Sequence, residues 1–115
     1  MDRATLQRLA ELRLEDAAAL LAAERWDAAY YIVGYAVECA LKACFVTQFR
    51  EHQVPDRKKV NSFYTHDLNE LLSQAGLREQ FEEAVAADAR LLENWRKLRE
   101  WSEASRYEVD ILENP

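Results

Sequence analysis

The sequence predicts an all-α protein, and three observations carry the prediction. Glycine and proline number only two each in 115 residues, so little interrupts a chain dominated by Ala, Leu, Glu and Arg, all strong helix formers. Apolar residues recur at three- and four-residue steps over most of the chain, the period of a helix with one face toward a core. The run from Ala28 to Val46, AAYYIVGYAVECALKACFV, is apolar on nearly every side. Such a helix must be covered on most faces, by its own domain or by a second copy. At this length one core forms without disulfides or a structural metal.

The first helix is expected from Arg3 to Arg25, with Leu6, Leu9, Leu14, Ala17, Leu20 and Leu21 as its core stripe. A short Arg25-Trp26-Asp27 turn, with Asp27 as cap, then sends the second helix back antiparallel. Ala17 to Ala19 on the first helix, and Ala29, Ala36, Ala40 and Ala43 on the second, suit close helix approach. Gly34 costs up to about 1 kcal/mol relative to Ala in a helix interior, so a packing reason is expected there. HQVPDRKKVNSFY, from His52 to Tyr64, reads as a long loop bearing Pro55 and the basic triplet Arg57, Lys58 and Lys59. Thr65 resembles a cap for a short helix carrying Leu68, Leu71 and Leu72 and ending at Gly76. A further helix, Arg78 to Ala87, is expected to bury Phe81, Ala84 and Val85. The last, Ala89 to Ser105, aligns Leu91, Leu92, Trp95, Leu98 and Trp101. Residues 1–107 form the domain in this reading, and residues 108–115, EVDILENP, a frayed acidic tail.

Net charge of −6 and a pI near 5.0 argue against a general nucleic-acid-binding surface, while leaving local basic patches open. Cys39 and Cys44 point to different faces of one helix, so no bridge joins them, and two reduced thiols suit the cytoplasm. The opening MDRATLQRLAELR is charged and amphipathic and does not read as a secretory signal. Ala28 to Val46 approaches bilayer length, but Glu38 and Lys42 would each cost roughly 2.5 to 3.5 kcal/mol at the membrane midplane. No membrane span is expected.

Those two charges are the first place to look for function. Glu38 lies one turn before Lys42, the favourable order for an ion pair, and both need partners if buried. They form either a mutual pair that fixes an interface or a polar pocket inside the bundle. His66 is expected in the first turn of its helix, either as a structural imidazole or as a general base. Arg106 and Tyr107 close the last helix, where Arg106 either meets the helix dipole or binds a phosphate with its planar fork. The basic triplet is a solvated face or steers a nucleotide or RNA toward Arg106. Cysteine and histidine spacing gives no zinc pattern, there is no glycine-rich phosphate loop, and no metal or cofactor is expected.

Taken together, YYIVGYAVECALKA (Tyr30 to Ala43), YTHDLNELL (Tyr64 to Leu72) and WSEASRYE (Trp101 to Glu108) resemble the small prokaryotic HEPN-domain family, in the same order and over nearly the whole chain. The resemblance implies a bundle of four to five helices built on a long antiparallel pair. It also implies a homodimer, expected through the second helix, and a role beside a minimal nucleotidyltransferase in a toxin–antitoxin-like pair. Many family members are metal-independent ribonucleases with an Arg, four to six residues, then His motif. Here Arg106 is followed by Tyr107, Glu108, Val109, Asp110, Ile111, Leu112 and Glu113, with no histidine. The leading expectation is therefore a nucleotide- or partner-binding module with Glu38, Lys42, His66, Arg106 and Tyr107 as its polar site. The alternatives are a divergent ribonuclease using His66 and Arg106, and a purely structural interaction subunit.

Overall fold

A computed structural model describes residues 2–49, 56–98 and 100. Among these residues the chain is all α-helical, without strands: α1 (Arg3–Ala22), α2 (Trp26–Val46), α3 (Arg57–Phe63), α4 (Leu68–Gln74), α5 (Arg78–Ala87) and α6 (Ala89–Leu98). The α1/α2 hairpin is the frame, and α4 packs across α2 while α5 pairs with α6.

The hairpin closes one turn earlier than the sequence suggests. Arg25 N–H donates to Leu20 O (2.9 Å) and Glu24 N–H to Leu21 O (3.0 Å), the paired bonds of a Schellman ending. This requires a left-handed residue, and Glu24 takes it at φ 61°. Asp27, expected as the cap of α2, consequently lies inside its first turn, and Arg25 occupies the cap position.

On α2, Ala29, Ala36 and Ala43 are buried at seven-residue spacing. With Ala17 buried on α1, these small side chains let the helices approach closely; Gly34, about 140° around α2 from Ala29, is buried instead on the side that carries Tyr30, Leu41 and Phe45. The opposite side of α2 supplies Tyr30, Leu41 and Phe45 to a core completed by Leu68, Leu71 and Leu72 of α4 and Trp95 of α6. Phe45, Leu68 and Leu71 are fully buried. Tyr30 also ties the hairpin to α6, its hydroxyl donating to Lys97 O at 2.8 Å, which satisfies the one polar atom of a buried ring.

Several local expectations change. The segment read as a loop contains α3: Asp56 caps it by accepting from Lys58 N–H, and Phe63 anchors it edge-on against Phe45 and Phe49. Asp67, not Thr65, caps α4, accepting from Asn69 and Glu70 N–H. Thr65 instead accepts from Asp67 N–H at 3.1 Å, so His66 precedes the helix and does not sit in its first turn. Gly76 ends the α4 region at φ 75° as expected. The stripe of α1 is incompletely covered. Leu6 is buried, but Leu14 is 57% and Leu21 50% exposed, because among the described residues α1 packs principally on α2. Within α5, Phe81 and Val85 are half-buried while Ala84 is exposed; in α6, Trp95 carries the burial and Leu91 stays exposed. The expected continuation of α6 to Ser105, its Trp101, and the 108–115 tail lie outside the described residues.

Candidate functional site

Tyr31, Tyr35, Glu38 and Lys42 recur at steps of four, three and four on α2, so they share one face of the helix. That face looks toward the connection between α3 and α4. Helix geometry fixes the Glu38–Lys42 pair, and Lys42 Nζ lies 3.3 Å from Glu38 Oε2. Both are buried, Glu38 at 5% and Lys42 at 8% exposure. Phe63 covers the ammonium, its ring centroid 5.2 Å from Nζ, a cation–π contact that offsets part of the lost hydration.

The other carboxylate oxygen of Glu38 holds His66, with Oε1 2.7 Å from Nδ1. The α3–α4 connection makes this possible. The Asp67 cap and the Thr65 turn fix the backbone on either side of the imidazole, which thereby reaches α2 from twenty-eight positions along the chain. An ionised carboxylate only accepts hydrogen bonds, so the Nδ1 proton of His66 is directed at Glu38. In the neutral ring Nε2 is then the acceptor atom. The His66 side chain is 39% exposed whereas that of Glu38 is 6% exposed, so the imidazole forms the boundary between the buried pair and solvent. Tyr35 stands edge-on to it, with ring centroids 6.3 Å apart, and the Tyr31 hydroxyl donates to that of Tyr35 at 3.1 Å.

The structure thus brings together three residues singled out from sequence, Glu38, Lys42 and His66. Arg106 and Tyr107 lie outside the described residues. Sequence reading missed Tyr35 and Phe63 as parts of the site. For Tyr35 the signal was present in its helical spacing to Glu38; Phe63 was hidden by the reading of α3 as loop.

Chemically, the unit is an imidazole anchored through one nitrogen by a buried carboxylate whose second oxygen is held by a buried ammonium. It can accept a proton or hydrogen bond at Nε2, or donate there once protonated. Among the described residues, no group of three or more His, Cys, Asp or Glu side chains is disposed to hold a metal ion. Cys39, next to Glu38 in sequence, is a free thiol. Burial, reinforced by the Glu38 charge, pushes its pKa above the ordinary value, so it remains a thiol where an exposed cysteine begins to ionise.

The described residues form a long helical hairpin crossed by short helices, with a buried Glu–Lys pair on its second helix. The chain matches the sequence profile of the HEPN domain over residues 4–113. It belongs to the HEPN-domain family. No curated protein and no solved structure gives a significant match.

Proposed function

We propose that this HEPN protein is a cytoplasmic, dimeric binding module that works beside a nucleotidyltransferase-like partner in a toxin–antitoxin-like pair and takes a nucleotide or RNA phosphate at the Glu38–His66 site. The observation that carries the reading is the buried Glu38 carboxylate, which spends both oxygens on Lys42 and on a solvent-facing His66. Burying two charges is costly. A pair used only to join helices would not require an ordered imidazole at its outer edge. Arg106 supplies the phosphate contact in this proposal, and Lys42 and Tyr107 are the remaining members of the proposed site.

The dimer is assigned to the hairpin. Between α1 and α2 run two adjoining apolar hollows of about 340 and 230 Å³, which share Leu14. Val33, Val37 and Ala40 of α2 form their floor opposite Leu14 and Leu21 of α1. A hairpin face roughly 30 Å long and 20 Å wide approaches the ~800 Å² per partner of a standard interface.

A second reading, a metal-independent ribonuclease, is favoured by one feature. A carboxylate 2.7 Å from Nδ1 orients the imidazole in the tautomer whose basic nitrogen is Nε2, the kind of group that transfer of a 2′-hydroxyl proton needs. Titration calorimetry with ATP, and cleavage of a fluorescent RNA, separate the two. The binding reading expects heat with ATP that His66→Ala and Arg106→Glu abolish in a folded protein, with no RNA cleavage. Cleavage lost in His66→Ala would establish the ribonuclease instead. Absence of ATP binding, or binding indifferent to both substitutions, would remove the nucleotide site.

A further inference from the structure

The exposed face of α3 is not used by the site above, although the same short connection joins the two. Phe63 and Val60 of α3 turn inward and are half-buried, whereas Arg57, Lys58, Asn61 and Tyr64 are all exposed. At 100° per residue, Arg57, Asn61 and Tyr64 fall within about 60° of one another, with Lys58 beside them. Tyr64 is 69% exposed. Phe63 meets it edge-on with centroids 5.4 Å apart. Neither Arg57 nor Lys58 has an ion-pair partner among the described residues, whereas Arg8, Arg13 and Arg90 are each paired with an acid. Two residues beyond Tyr64 stands His66.

We infer that this face is a track for single-stranded nucleic acid, on which one base stacks on Tyr64 while Arg57 and Lys58 hold the flanking phosphates and Asn61 offers hydrogen bonds between them. The inference rests on the proposed nucleotide or RNA site and extends it from a single nucleotide to a polymer entering along α3. A stacked base needs an exposed, positioned aromatic face, and its backbone needs cations not already neutralised; the α3 face supplies both. The net charge of −6 works with this arrangement. Acids elsewhere, such as Glu79, Glu82 and Glu83 on α5, repel a polyanion and confine it to the α3 face.

Fluorescence anisotropy with a fluorescein-labelled oligouridylate tests the inference on the full chain. Binding should weaken at least about fivefold in Tyr64→Ala. With two phosphates contacted, log K should fall against log salt with a slope of about −1.4, and Arg57→Glu/Lys58→Glu should abolish binding. These exposed substitutions leave the helical circular dichroism unchanged, and the double variant adds acid at a helix N-terminus, where it is favoured. Calorimetry with ATP runs in parallel. If ATP binds and the oligouridylate does not, the track is wrong and the His66 site stands; if neither binds, the nucleotide reading fails with it. Displacement by heparin with no loss in Tyr64→Ala would show a charge-only patch, suited to an acidic protein, and would also overturn the proposal.

Discussion

Glu38 governs the local chemistry because it is the buried acceptor for two other groups. Replacing it with Gln removes the negative charge while leaving Lys42 buried and His66 without its carboxylate. Loss of one partner from a buried pair costs about 3–5 kcal/mol, which urea denaturation would measure. The same variant should lose the nitrogen NMR signature of a proton held on Nδ1 of His66. Exchanging Glu38 and Lys42 together for apolar residues should recover much of the stability but not the His66 signature, separating the structural from the orienting role. Cys39 provides a pH test. Its folded pKa is raised above the ordinary 9.0 by burial, so the folded state retains the proton more tightly than the unfolded state does. Stability from this group is therefore present below pH 9 and declines as the pH rises through the unfolded value toward the folded one. Denaturation midpoints measured upward from pH 8 should fall less in Cys39→Ala than in the parent.

Among the helices, the most informative features are the ends. Glu24 holds the α1/α2 turn in a left-handed conformation at φ 61°, which costs a residue with a Cβ about 1–2 kcal/mol. Glycine relieves that cost but loses more entropy on folding. Glu24→Gly should therefore be stabilising by up to about 1 kcal/mol, seen as a higher melting temperature. Failure to rise would mean that Glu24 gains elsewhere what its backbone loses. The α3 segment illustrates the reverse case, where local signals mislead. Pro55 and three successive basic residues suggest a loop, yet the Asp56 cap and the aromatic contacts of Phe63 with Phe45 and Phe49 suffice for two turns of helix. Short helices draw most of their stability from such packing and little from propensity.

For the molecule as a whole, the hairpin carries an apolar surface that the described residues leave partly uncovered. Leu14 and Leu21 are half-exposed over hollows lined by small residues. Leu14→Arg should turn the proposed dimer into a monomer by light scattering while leaving the helical spectrum intact, since the side chain is 57% exposed in the single chain. A dimer indifferent to this change would place the interface elsewhere. By itself the sequence determined the helical class, the antiparallel hairpin, the glycine end at Gly76, the span of α5 and the pairing of Glu38 with Lys42. Each is a local matter of propensity, periodicity or i,i+4 spacing. Tertiary structure decided that α3 is a helix, that the leucine stripe of α1 is only partly covered, and that His66 meets Glu38. Those outcomes depend on which faces meet across dozens of residues, and a one-dimensional pattern carries periodicity but not the identity of the partner that completes each face.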